Sequence, residues 1–144
     1  MPSRSKSAAA RTVTMDMASR FEMLDMVQTV LEHLSATVGF AEEVVHYMSV
    51  AVRESVVNAI KHGNRGDESK RVTVSFTVHP RALEVEVHDQ GTGFDPQAVP
   101  DPVSPENVLK PQGRGVFFMR SFMDEVDYSF PARGGTVVRM VKKL

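Results

Sequence analysis

Between residues 71 and 88 apolar side chains fall on every second position twice over. First come Val72, Val74, Phe76 and Val78, then Leu83, Val85 and Val87, with His79-Pro80-Arg81 between the runs. A period of two puts alternate side chains on opposite faces of a strand, and two such runs joined by a short turn make a hairpin. One face of this hairpin is apolar and the other polar. The chain must therefore cover the apolar face with elements carrying a matching apolar stripe.

Two such stretches precede it. Leu24, Val27, Leu31, Leu34 and Val38 recur at steps of three and four, which is helix spacing, and Gly39 stands where a helix C-cap glycine belongs. Ser19 is placed to cap its start. Met23, Met26 and Val30 form a second stripe beside the first, so this helix is apolar on more than one face. A second helix is expected over residues 41–61, stopping at His62-Gly63-Asn64-Arg65-Gly66. Ahead of both, Val13, Met15 and Met17 alternate with polar residues over 12–17, the pattern of a short strand.

After the hairpin the periodicity stops. Residues 96–111 carry five of the eight prolines, and an aperiodic segment of this length inside a compact domain is mostly a lid or a binding loop. Residues 116–123 then read as a short helix. Val126, Tyr128 and Phe130 mark one face of a strand, Pro131-Ala132-Arg133-Gly134-Gly135 a turn, and a last strand runs through Val141. This order predicts an α/β two-layer sandwich, with a mixed, mostly antiparallel sheet covered on one face by helices. It does not alternate strand and helix as a doubly wound fold does. The expected organisation is a flexible tail over 1–11 and one domain over 12–144, with a lid at about 94–112.

The chain's 144 residues suit one core, and the 42% hydrophobic content excludes wholesale disorder. A net charge of -1 supplies no global field for nucleic acid, so no direct nucleic-acid partner is expected. With no cysteine there is no thiol nucleophile or disulfide framework, which suits a cytoplasmic setting. No apolar run approaches the roughly 18 residues of a membrane span, so a soluble chain is expected, and the basic start lacks the apolar stretch of a secretory signal.

Three places carry residue types suited to chemistry. On the second helix Glu54 and Asn58 lie about 40° apart on one face, flanked by Val50, Ala51 and Val57, while Met48, Val52, Val56 and Ala59 take the opposite, core side. A carboxylate and an amide in an apolar surround suit Mg²⁺ and a reacting hydroxyl or water. Asp89-Gln90-Gly91-Thr92-Gly93 follows the strand ending near Val87; its carboxylate can accept a hydrogen bond from an exocyclic amine, and its glycines let backbone approach a flat ligand. Alone, the same run reads equally as a tight turn. Gly113-Arg114-Gly115 opens the short helix, where free amides and the helix dipole favour a phosphate by about 0.3–1 kcal/mol. Neither a Walker P-loop nor a kinase glycine loop fits it.

In order and type these elements resemble the GHKL ATPase superfamily. Glu54-Ser55-Val56-Val57-Asn58-Ala59 with His62-Gly63 is similar to its N box. Asp89-Gln90-Gly91-Thr92-Gly93 and Gly113-Arg114-Gly115-Val116 resemble its two glycine boxes, and Gly135-Thr136 resembles the motif opening the last strand. The small size, and residues 118–126 after the second glycine box, resemble the anti-sigma-factor serine/threonine kinases within it.

That resemblance implies a Bergerat-type ATP-binding fold using ATP and Mg²⁺, and a transcription regulator that sequesters a sigma factor and phosphorylates a STAS-domain anti-anti-sigma protein. It implies that Asn58 binds Mg²⁺ and that Glu54 is the general base. Asp89 would read the adenine amine, Gly91 and Gly93 would line the base, Gly113 and Gly115 with Val116 would meet phosphates, and Thr136 would support adenine through a water. Lys110 and Arg114 are both placed to meet the terminal phosphate, and the sequence does not choose between them. The apolar first helix and the resemblance together favour a homodimer.

Two other readings compete with the kinase. A nucleotide-dependent switch would grip its partner without transferring phosphate. A detached catalytic domain of a histidine kinase would need a phosphoacceptor histidine, and Glu32-His33-Leu34 lacks the acidic and proline context for one. A metal hydrolase fails because the five histidines show no ligand spacing.

Overall fold

The structure, a computed structural model, describes residues 11–91 and 119–144. The expectations placed on the tail, on the lid, and on Gly93, Lys110, Gly113, Arg114, Gly115 and Val116 lie outside the described residues. The elements are β1 (Thr12–Ala18), a 3-10 turn (Phe21–Met23), α1 (Leu24–Val38), α2 (Glu42–Asn58), a π turn (Ala59–Gly63), β2 (Arg71–His79), β3 (Ala82–His88), β4 (Glu125–Ser129) and β5 (Val137–Lys143). Residues 119–122 are helical, the end of the short helix expected before β4.

The five strands form one sheet in the order β1-β2-β3-β5-β4, and every pairing is antiparallel. The hairpin expected from the period-two pattern is β2–β3, with Phe76 opposite Val85. Val85 in turn pairs with Met140, and Met140 with Val126, so one apolar row crosses four strands. Phe76, Val85 and Met140 are fully buried beneath the helices. Each such side chain contributes about 1.5–3 kcal/mol relative to exposure.

Helix α1 buries Leu24, Val27 and Leu31, as its spacing predicts, and Gly39 caps it with a left-handed φ of 106° while its N–H donates to the Ser35 carbonyl at 3.0 Å. Of its second stripe, Met23 and Val30 are partly buried against the core and Met26 is 57% exposed. Helix α2 buries Met48, Val52, Val56 and, one residue past its end, Ala59, the face assigned to the core. The outer face of the sheet is polar. There Arg139 of β5 bridges Glu84 of β3 at 3.1 Å and Asp127 of β4 at 3.1 Å.

Three local expectations are corrected. Ser19 is not a helix cap: the residue before the 3-10 turn is Arg20, and the Ser19 hydroxyl donates instead to the Lys70 carbonyl at 2.7 Å. Phe130 lies one residue past β4 and is 49% exposed rather than part of the strand face. The second helix is α-helical only to Asn58 and then widens into the π turn, whose Ala59 carbonyl accepts the Asn64 N–H at 2.8 Å.

Candidate functional site

Insertion of β5 beside β3 builds the site. The register pairs His88 with Val137, so the loop leaving β3 and the turn entering β5 lie side by side. Asp89 and Thr136 then bond reciprocally. The Asp89 N–H donates to the Thr136 carbonyl at 3.1 Å, and the Thr136 N–H donates to Asp89 Oδ1 at 3.2 Å. The same Oδ1 accepts the Gly91 N–H at 2.9 Å, while the Gly135 N–H donates to the Gly91 carbonyl at 2.9 Å. One carboxylate oxygen is thus held by backbone, and Oδ2 has no hydrogen-bond partner among the described residues.

A narrow cleft opens between the last turn of α2 and this corner of the sheet. Ser55, Asn58 and Ala59 line it from the helix, Val87 and Asp89 from β3 and its exit, and Met119, Tyr128 and Val138 close it. Asn58 and Ala59 lie three and four residues after Ser55, on either side of it around the helix, so all three reach the cleft from the edge between the core side and the Asn58 side. The buried hydroxyls of Ser55, in this lining, and Thr136, beside Asp89, have no hydrogen-bond partner among the described residues. Buried polar atoms are nearly always satisfied, so these two hydroxyls and the half-used carboxylate leave hydrogen-bonding capacity open to a polar ligand. Apolar Val87, Met119 and Val138 supply the surface for a flat ring. These residues fit an adenine nucleotide.

Burial raises the Asp89 pKa from its ordinary value, against the opposing pull of the Gly91 and Thr136 N–H groups. Burial likewise pushes the Tyr128 phenol up to about 12, so it lines the cleft as a neutral group at physiological pH.

Of the residues singled out from sequence, Asn58 and Asp89 meet in this cleft, and Thr136 joins them through Asp89. Glu54 lies one turn before Asn58 on α2, partly buried, and is not part of the cleft lining. It makes no hydrogen bond or ion pair with a described residue. Among the described residues no cluster of His, Asp or Glu side chains is arranged to hold a metal. A Mg²⁺ ion at this site would therefore rest on Asn58 together with phosphate oxygens.

Gly91 has a steric role in the fold besides the expected approach to a ligand. A Cβ there would overlap the Gly63 carbonyl, a Cβ on Gly63 would overlap the Asp89 carboxylate, and one on Gly135 would overlap the Asp89 carbonyl. Three glycines thus let the end of α2 and both loops close on Asp89. Sequence reading took Gly63 as a helix breaker and as part of the N-box resemblance, and it gave no site role of their own to Ser55, Tyr128 or Asn64. Asn64 carries one legible signal, a lone amide side chain between a helix-ending glycine and the next turn.

The two-layer fold, the acidic loop at the β3 exit and the Asn58 face of α2 define a nucleotide-binding α/β domain. Residues 17–142 match the family model described as the histidine kinase-like ATPase domain, and the chain belongs to that family. It is 30% identical to the serine-protein kinase RsbW of Bacillus licheniformis over 142 residues, 94% of this chain and 88% of the relative. It is 28% identical to the serine-protein kinase RsbW of Listeria monocytogenes serovar 1/2a over 120 residues, 79% of this chain and 76% of the relative. Among solved structures, the crystal structure of the RsbU and RsbW domains of Rv1364c from Mycobacterium tuberculosis matches 92% of this chain. Its TM-score is 0.65 at 17% identity, a likeness of fold, and this chain spans 32% of that one. Among the described residues no helix is long and apolar enough to cross a membrane.

Proposed function

We propose that this protein is an ATP-dependent serine/threonine protein kinase that sequesters a sigma factor as an anti-sigma factor and phosphorylates a STAS-type anti-anti-sigma partner. The observation carrying the reading is the Asp89 corner: a carboxylate fixed through one oxygen by two backbone N–H groups, in a cleft lined by Asn58 and by a Ser55 hydroxyl with no partner among the described residues. The relatives named serine-protein kinase support the chemistry.

When bound, ATP supplies the phosphoryl group and Mg²⁺ offsets its charge. The chain's own residues do the rest. Asp89 accepts the base amine, with Thr136 and Gly91 holding its carboxylate in one orientation. Asn58 offers its amide oxygen to the metal. Glu54, on the same face one turn earlier, takes the proton of the partner's hydroxyl, a role that needs a free carboxylate. Lys110 or Arg114 neutralises the terminal phosphate, with Gly93, Gly113, Gly115 and Val116 completing base and phosphate contacts. A cytoplasmic homodimer with no membrane or nucleic-acid contact accompanies this reading.

Purified protein incubated with γ-labelled ATP and candidate STAS proteins tests it. Label is expected on a serine or threonine of one partner. Binding of ATP and partner with no label on either would favour the nucleotide-dependent switch.

Asp89 provides a second expectation. Its raised pKa means that the folded state binds the proton more tightly than the unfolded chain. Its contribution to stability is therefore full below the unfolded carboxylate value and is lost as pH rises through the folded one. Asp89→Asn removes the buried charge, so the nucleotide-free protein is expected to melt at the same temperature or higher. ATP affinity is expected to fall by about 1.5–3 kcal/mol through loss of a charge-assisted hydrogen bond. In the native protein ATP affinity is expected to weaken as pH falls through the raised Asp89 pKa, and GTP, with an oxygen in place of the amine, is expected to bind poorly. Calorimetry giving equal ATP and GTP affinities would remove Asp89 from this role.

A further inference from the structure

We propose that Asn64 is a positioning residue for the nucleotide base, locking the Asp89 loop to the end of α2. The proposal rests on the ATP-binding reading above. Asn64 is fully buried, and its amide is used at both ends. Nδ2 donates to Ser19 Oγ at 2.7 Å and to the Arg71 carbonyl at 3.0 Å, while Oδ1 accepts the Gln90 N–H at 2.7 Å. One side chain therefore ties the end of β1, the start of β2 and the loop after β3 to the helix that carries Asn58.

Gln90 returns the contact, its Oε1 accepting the Arg71 N–H at 2.6 Å. Gln90 follows Asp89 directly, so the bond from Asn64 fixes the peptide that carries the Asp89 carboxylate. Gly63, the residue before Asn64, lies against that carboxylate. The π turn makes the arrangement possible. Its wider winding turns residue 64 relative to an α-helical continuation, and π segments inside helices frequently accompany functional sites. At 0% exposure Asn64 shares none of these bonds with bulk water.

A role in the fold alone and a role in base binding predict different results. Asn64→Ala leaves the Gln90 N–H without its acceptor, whereas Ser19→Ala removes a bond from the same hub on the strand side and leaves the Asn64–Gln90 bond in place. Both variants are expected to melt earlier than the native protein. By calorimetry well below both midpoints, Asn64→Ala is expected to bind ATP and ADP more weakly by a common factor of about tenfold, equivalent to about 1.4 kcal/mol. Its preference for ATP over GTP is expected to shrink, because the loss is at the base and not at the terminal phosphate. Ser19→Ala is expected to keep its nucleotide affinities within about twofold of native.

Equal weakening in both variants, or native affinity in Asn64→Ala, would overturn the proposal. Hydrogen exchange on the unaltered protein gives a test that needs no variant to fold. The Gln90 amide is expected to be protected like the amides of β3, and exchange at the rate of an open loop would overturn it. Failure of the native protein to bind ATP at all would instead remove the site on which the proposal rests, a result distinct from native binding that survives in Asn64→Ala.

Discussion

Replacing Glu54 by glutamine is expected to slow phosphoryl transfer to the partner hydroxyl by about 10²–10⁴-fold while leaving ATP bound. Glutamine keeps the size and shape of the side chain and removes its ability to take a proton. Glu54 makes no hydrogen bond or ion pair with a described residue, so the substitution breaks no described contact in the fold. It is also absent from the cleft lining, where Ser55, Asn58 and Asp89 stand, so base binding is expected to persist. Asn58→Ala separates the two steps from the other side: Mg²⁺-dependent nucleotide binding is expected to be lost, and with it transfer. Single-turnover transfer from labelled ATP, measured beside equilibrium binding, reads both. A Glu54→Gln variant that transfers phosphate at the native rate would show that another group takes the proton.

The second large effect is structural. Gly91→Ala places a Cβ on the Gly63 carbonyl, and backbone lies on both sides of the clash. Neither side can yield by a change of rotamer. The loop carries the Gly91 N–H bond to Asp89 Oδ1 and accepts the Gly135 N–H, so moving it apart from the π turn strains both bonds. Overpacking of this kind costs about 3 kcal/mol, the upper part of its usual range, and corresponds to a fall in melting temperature of roughly 10 °C for a domain of this size. Nucleotide affinity is expected to drop as well, since the carboxylate moves with the loop. Gly39→Ala is the comparison. Its φ of 106° is strained for alanine but a Cβ there meets nothing, so a smaller cost of about 1 kcal/mol is expected. Thermal unfolding of the two variants followed by circular dichroism checks the difference; equal losses would mean that the Gly91–Gly63 contact relaxes freely.

Where burial follows a short period, the residues announced the fold. The alternation of Val72 through Val87 became β2–β3, the Leu24–Leu31 stripe became the buried face of α1, and Met48, Val52 and Val56 became that of α2. Asn58 and Asp89 stood out because an amide on an apolar helix face and an acidic residue at a strand exit depart from local pattern, and the structure brings the two into one cleft; Thr136 was named through the family resemblance alone.

What was illegible depends on pairing over distance. Nothing local to residues 125–143 says that β5 inserts between β3 and β4, yet that insertion brings Thr136 to Asp89. Ser19 reads locally as a cap, and only the arrival of Asn64, 45 residues later, turns its hydroxyl into an acceptor for the Asn64 amide. Gly63 and Gly91 read as a helix stop and a ligand-facing glycine. Their steric roles, Gly91 against the Gly63 carbonyl and Gly63 against the Asp89 carboxylate, exist only once the chain has folded to bring the two segments together.

The location of the base is the claim on which the rest depends, and a crystal structure of the protein with a non-hydrolysable ATP analogue and Mg²⁺ tests it most directly. The account predicts the adenine in the cleft between α2 and β3, its exocyclic amine donating to the Asp89 carboxylate and Asn58 facing the metal. A nucleotide seated instead in the groove on the outer face of the sheet, which Arg71, His88 and Arg133 line together with Asp89 itself, and away from Ser55 and Asn58, would contradict it.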